Sequence, residues 1–180
     1  MTTQLTQPIR AGVRPREPAP ALHLELVGGG TWDLRERRPE RFTMVVFYRG
    51  HHCPVCRKQL TELARRLDEF QQRGVEVIAI SGDTRERAQQ SADEWKLNQL
   101  TVCYGLSEPM MRDWGLFVSS AIKESEPARF NEPALMLIEP DATVYFESIQ
   151  SMPWARPQLD DVLHAIDYVL EHHYPARGEG

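Results

Sequence analysis

The sequence predicts an α/β fold in which a central mixed sheet is flanked by helices, with a hairpin extension at its N-terminal side. Two continuous apolar runs, at 42–48 and 75–80, have the β-branched and aromatic content of strands covered on both faces. An amphipathic helical pattern lies between them and a polar one follows, the alternation of a parallel β/α unit. Two later strand runs, at 134–138 and 143–148, turn at Pro140-Asp141-Ala142 and add an antiparallel pair. With 180 residues, 41% hydrophobic and 26% charged, the chain is sized for one domain whose core needs no disulfide staples.

Taken in order, residues 1–17 read as a flexible leader and 18–180 as the domain. Pro8, Pro15, Pro18 and Pro20 crowd this start, with little apolar periodicity to hold it in a core. Residues 23–27 alternate polar and apolar, Gly28, Gly29 and Gly30 interrupt, and 31–34 resume, which predicts a short hairpin. The glycines do not make a phosphate cradle, because no helix opens after them. The run at 42–48 is the expected central strand. Cys56, Leu60, Leu63, Ala64, Leu67 and Phe70 then recur at helical spacing with charges between them, and Gly74 serves as the stop. After the strand at 75–80, Thr84 caps a polar helix over 85–96. A short strand at 100–104 follows, with a helical turn at 109–114. The last helix, 157–172, places Leu159, Val162, Leu163, Ile166, Val169 and Leu170 on one face.

The chemistry concentrates at Cys53-Pro54-Val55-Cys56. The central strand ends near Arg49, the loop Gly50-His51-His52 follows, and the pair opens the helix. A thiolate there faces unpaired N–H groups and the positive end of the helix dipole, which lowers a thiol pKa from about 8.5 into the range of roughly 3.5 to 7.5. Pro54 suits the first helical position because it has no N–H to leave unpaired. The spacing lets Cys56 reach back to Cys53, so attack, mixed disulfide and resolution fit on one turn. Arg49, His51, His52 and Arg57 are candidates for stabilising the thiolate or moving a proton, against the alternative of solvent-facing loop side chains. Cys103, in the strand at 100–104, reads as a buried apolar filler. Ser151-Met152-Pro153-Trp154 is a candidate rim of the active-site mouth, or a packed corner.

The segment Phe47-Tyr48-Arg49-Gly50-His51-His52-Cys53-Pro54-Val55-Cys56-Arg57 resembles the active-site segment of peroxiredoxin-like proteins in the alkyl hydroperoxide reductase and thiol-specific antioxidant (AhpC/TSA) family, within the thioredoxin-like superfamily. The likeness extends over about residues 18–170 and includes Val77-Ile78-Ala79-Ile80-Ser81-Gly82-Asp83. It implies a thioredoxin-like fold and an antioxidant thiol chemistry, together with an external thiol reductant and self-association into a homodimer. It also implies a cis-proline before the strand that faces the redox pair, and Pro133 matches that position. Pro133, Arg49 and His52 are the candidate substrate-binding residues. The segment departs from a peroxidase: aligned to the family, its proline place is Arg49, its threonine place Cys53 and its peroxidatic place Cys56, while the arginine place falls at or beside Pro133. Arg49, Arg57 and Arg129 are the candidates for a replacement charge.

These features lead to a thiol-disulfide oxidoreductase acting on a protein or small-molecule disulfide, with Cys53 as nucleophile and Cys56 as resolving thiol. A thiol peroxidase acting on hydrogen or alkyl hydroperoxides is the alternative. Two readings of another class remain: a non-catalytic thioredoxin-like module, or a metal site joining the pair to His51, His52 or Cys103. Structural zinc normally takes four ligands, and only one cysteine pair is present. No cofactor is expected. A net charge of -5 argues against nucleic acid as a partner. The start has no apolar run, and no stretch nears the roughly 20 apolar residues of a membrane helix, so the expected location is the cytoplasm, with no membrane association.

Overall fold

The computed structural model describes residues 12–180. The first pair of strands, β1 (His23–Leu26) and β2 (Thr31–Asp33), is closed by the predicted glycine turn, where the Leu26 N–H donates to the Gly30 carbonyl at 3.0 Å. Gly29 and Gly30 have φ of 92° and 82°, a backbone that residues with a Cβ avoid, so the glycines build a turn.

Three strands then run parallel: β3 (Phe42–Phe47), β4 (Val75–Ile80) and β5 (Thr101–Tyr104). Between β3 and β4 lie α1 (Pro54–Arg65) and α2 (Leu67–Gln71), and between β4 and β5 lies α3 (Arg85–Glu94). After α4 (Glu108–Asp113) come two short strands, β6 (Val118–Ser120) and β7 (Arg129–Asn131), which pair only with each other. β8 (Ala134–Ile138) returns antiparallel to β3, β9 (Val144–Ile149) pairs with β8, and α5 (Leu159–His172) closes the chain. The main sheet is mixed, in the order β2-β1-β5-β4-β3-β8-β9. Its interior position explains why all six residues of β3 are buried.

Strand alternation divides the core into two layers. Met44 and Val46 pack with Leu60, Leu63, Phe70 and Ile166 on the α1 and α5 side. Val45 and Phe47 pack with Ile78, Trp114 and Met136 on the other. Each fully buried side chain of this kind contributes roughly 1.5–3 kcal/mol relative to exposure. The layers therefore fix α1, and with it the cysteine pair, against the C-terminal end of β3.

Several expectations are corrected. The helix foreseen from Cys56 to Phe70 is broken at Arg66, whose φ of -112° and ψ of 12° leave the helical region. Arg66 there serves Glu69 at 2.7 Å and Asp160 at 2.7 Å, contacts that amphipathic spacing does not reveal. The polar helix ends at Glu94, because Lys96 takes a positive φ of 57°. Of the expected leader, residues 1–11 lie outside the described residues. The rest is attached: Val13 is buried, Arg16 N–H donates to the Val144 carbonyl at 2.7 Å, and Val144 N–H donates to Glu17 at 2.9 Å. The peptide bond before Pro133 is trans, as are all those described. A trans bond carries the extended chain of β7 directly into β8, where the Glu132 N–H donates to Phe117 at 2.8 Å and the Pro133 carbonyl accepts from Gln150 at 2.9 Å. No helix among the described residues is long and apolar enough to cross a membrane.

Candidate active site

Cys53 is the N-cap of α1. Its backbone is extended, with φ of -101° and ψ of 107°, and its sulfur accepts the otherwise orphaned N–H of Cys56 at 3.3 Å. Pro54 occupies the first helical position as expected. The Cys56 sulfur, one turn in, accepts the Arg49 backbone N–H at 3.4 Å. Both thiols are buried and unbridged.

A guanidinium spans the two sulfurs. Arg156 Nη2 lies 3.0 Å from Cys56 Sγ and 4.0 Å from Cys53 Sγ. Its Nε donates to the Pro153 carbonyl at 2.6 Å and its Nη1 to Gln59 Oε1, so the head group is clamped by its own loop and by α1. These contacts divide the pair. The Cys53 thiol is lowered to about 6, first by a hydrogen bond from the Cys56 thiol, with the Cys56 backbone N–H and Arg156 adding to it against the cost of burial. Burial holds Cys56 well above the usual thiol range, despite Arg156. At pH 7 a group of pKa about 6 is roughly 90% ionised, so the surroundings favour a thiolate at Cys53 and a protonated thiol at Cys56.

Gly50 and Asp83 shape the loop before the pair. The buried Asp83 carboxylate accepts the His51 N–H at 2.7 Å and the Arg87 Nε at 3.1 Å. A Cβ on Gly50 would lie 2.7 and 2.9 Å from the two Asp83 oxygens, and the Gly50 φ is +131°. Gly50→Ala is therefore expected to destabilise the protein by about 2–4 kcal/mol, through a clash and backbone strain together. Gly105 also has a positive φ, +77°, but nothing within 4 Å of its Cβ position. Gly105→Ala is expected to cost only about 1 kcal/mol. Urea unfolding of the two variants checks the contrast, and equal losses would remove the clash from the account.

The other predicted residues fall into place unevenly. The Arg49 guanidinium pairs with Glu132 at 3.3 Å and Glu126 at 3.8 Å, lies over the Phe130 ring at 4.8 Å, and also hydrogen-bonds toward Cys53, which helps to lower that thiol. His52 packs edge-on to Phe130, and burial with Arg49 nearby lowers it to about 4, so it is a neutral imidazole at pH 7 and no counter-ion for a thiolate. His51 is stacked on Trp95 and bonded to Ser91 Oγ at 3.1 Å. Pro133 precedes Ala134, the partner of Phe47, and so lies buried at the sheet end that carries the pair. The Arg57 side chain is exposed and Arg129 pairs with Glu108 at 2.9 Å, so neither is the replacement charge. Cys103 is buried in β5, its thiol pushed up to about 12 by that burial. Among the described residues, no group of three or more His, Cys, Asp or Glu is placed to hold a metal ion.

Arg156, Gln59 and Asp83 are the site residues that sequence reasoning missed. The only signal for Arg156 was the Met152-Pro153-Trp154 segment, placed at the mouth of the site but ending just short of it.

A cysteine pair capping the helix that follows the interior strand, beside a parallel β/α unit and an antiparallel β8–β9 return, defines a redox protein of the thioredoxin-like fold. The chain belongs to the AhpC/TSA family, whose model matches residues 15–147. It is 30% identical over 113 residues to the thiol-disulfide oxidoreductase ResA of Halalkalibacterium halodurans, an alignment covering 62% of this chain and 58% of that relative. Among solved structures, peroxiredoxin 6 of Arenicola marina superposes with a TM-score of 0.77 at 16% identity, covering 90% of this chain and 76% of its own. AhpC of Mycobacterium tuberculosis gives 0.72 at 14% identity, covering 92% and 97%. At such identities the likeness is one of fold.

Proposed function

We propose that the protein is a thiol-dependent oxidoreductase that exchanges disulfides, with Cys53 as the attacking thiolate and Cys56 as the resolving thiol. The asymmetry of the pair carries this reading: the helix-capping cysteine is ionised near neutrality, while its buried partner keeps its proton and donates to it. The Cys53 thiolate attacks one sulfur of a substrate disulfide, a mixed disulfide forms, and the other substrate sulfur leaves as a thiolate. Cys56 then loses its proton, attacks the Cys53 sulfur and expels the second substrate thiol. Two electrons pass from the dithiol to the substrate, and an external thiol reductant restores the pair. We place this cycle in the cytoplasm, where a reduced thiol pool can supply that reductant.

Pro133, Arg49 and His52 are assigned to the wall of the substrate groove. Since Cys53 is only 1% exposed, the substrate reaches it when the Arg156 loop yields. The ResA likeness supports disulfide exchange, as does the pair itself. A second reading, peroxide reduction, is favoured by one observation: Arg156 holds a cation 3.0 Å from Cys56, where it would stabilise charge on a bound peroxide. In that reading a sulfenic acid forms first and condenses to the same disulfide, releasing water.

Mixing the reduced protein with one equivalent of hydroxyethyl disulfide or of hydrogen peroxide separates the two. Oxidation by the disulfide is expected to be at least ~10-fold faster, and to vanish in Cys53→Ser. Faster oxidation by peroxide, lost only in Cys56→Ser, would make peroxide reduction the function.

A further inference from the structure

The exposed face of α1 starts at the redox pair and is cationic. Arg57, Lys58 and Arg65 are exposed, they border one groove with Pro54, Thr61 and a single carboxylate, Glu62, and none of the three carries an ion pair among the described residues. Arg57 and Arg65 lie on one face at i and i+8, with Lys58 on the flank beside Arg57, so they form a band of about 12 Å along the axis. Lys96 extends it, lining the next groove with Thr61, Arg65 and Trp95. Glu62, the one carboxylate in that groove, contacts Arg66 at 3.5 Å, which leaves three cations to one anion along it.

At the other end, Lys58 shares a cavity of about 220 Å³ with Val55, Gln59, Glu62, Trp154 and Arg156. Trp154 is 72% exposed there and Met152 47%, a large apolar exposure for a loop that also delivers Arg156 to the sulfurs. Tryptophan, methionine and arginine are the side chains enriched at protein interfaces. On a chain of net charge -5, a local cationic stripe both attracts an acidic partner and orients it.

We propose that this stripe, from Arg57 to Arg65, docks an acidic protein whose disulfide is the substrate of Cys53, with Trp154 as the apolar anchor beside the mouth. Carboxylates flanking the partner's cysteine meet the stripe, and an apolar neighbour covers the indole. The partner's disulfide then lies at the N-terminal end of α1, where Cys53 waits. The proposal rests on the disulfide-exchange reading and adds the class of substrate.

Three peptide disulfides of equal length test it, their cysteines flanked by glutamate, glutamine or lysine, alongside neutral hydroxyethyl disulfide. At low ionic strength the glutamate peptide is expected to exchange at least ~10-fold faster than the lysine peptide, and the gap to close near 1 M salt, where the screening length is about 3 Å. In the double variant Lys58→Glu, Arg65→Glu the preference is expected to reverse, and Trp154→Ala to slow the glutamate peptide several-fold. Equal rates for the acidic and basic peptides, or an acidic preference that survives the double variant, would overturn the docking surface while leaving exchange of hydroxyethyl disulfide intact. Failure of every disulfide, the neutral one included, would overturn the exchange reading and the surface with it.

Discussion

Cys53→Ser is expected to lower the rate of disulfide exchange by at least ~10³-fold, because a serine oxygen can neither ionise near neutrality nor form the mixed disulfide. Cys56→Ser is expected to behave differently. Cys53 remains at the helix N-cap with the residue-56 N–H still 3.3 Å from its sulfur, so attack persists. With no resolving thiol, the mixed disulfide accumulates to one per protein and turnover stops. Cys56→Ala traps the same species but also removes the Cys56 hydrogen-bond donor, the largest influence lowering the Cys53 pKa, so there the mixed disulfide forms more slowly at pH 6 than in the parent. Intact-mass measurement after one equivalent of a model disulfide reads these variants. A mixed disulfide on Cys56 in the Cys53→Ser protein would reverse the roles assigned to the pair.

Arg156→Gln carries the second largest effect. The guanidinium lies 3.0 Å from the Cys56 sulfur and 4.0 Å from the Cys53 sulfur, and it favours the thiolate form of both. A charge-assisted contact worth about 1.5–3 kcal/mol corresponds to roughly 1 to 2 pKa units, which lowers the Cys53 thiolate fraction and the exchange rate at pH 7 by roughly 2- to 15-fold. The sign with pH follows from the direction of the shift. Removing the cation raises the Cys53 pKa, so the thiolate fraction falls most just above pH 6 and recovers as the pH approaches the new value. The variant therefore regains activity in alkaline solution, whereas Cys53→Ser does not. Stopped-flow exchange with hydroxyethyl disulfide between pH 5 and pH 9 checks this, and a loss independent of pH would assign Arg156 to structure alone.

What the sequence reveals here depends on whether the cause is local. β3 and β4 are legible because burial on both faces demands an unbroken apolar run, and 42–48 and 75–80 supply it. The cysteine pair is legible because cap, proline and second thiol all lie within one helical turn. β6 and β7 are not, since Val-Ser-Ser and Arg-Phe-Asn are short and half polar and form strands only by meeting each other. The break at Arg66 depends on Asp160 of α5, and the charge beside the sulfurs comes from a residue 100 positions beyond Cys56. Arg49, near in sequence, divides its guanidinium between Glu126, Glu132 and Cys53. Proximity along the chain finds Arg49 but not Arg156, because the loop that carries Arg156 is placed by tertiary packing.

Following thiolate absorbance in the ultraviolet while the reduced protein is titrated from pH 4 to pH 9 tests the central claim most directly. A single ionisation near pH 6, absent in Cys53→Ser and moved upward in Arg156→Gln, is the expected result. An absence of thiolate below about pH 8 in the parent protein would contradict it, since no asymmetric pair would then exist to carry the exchange.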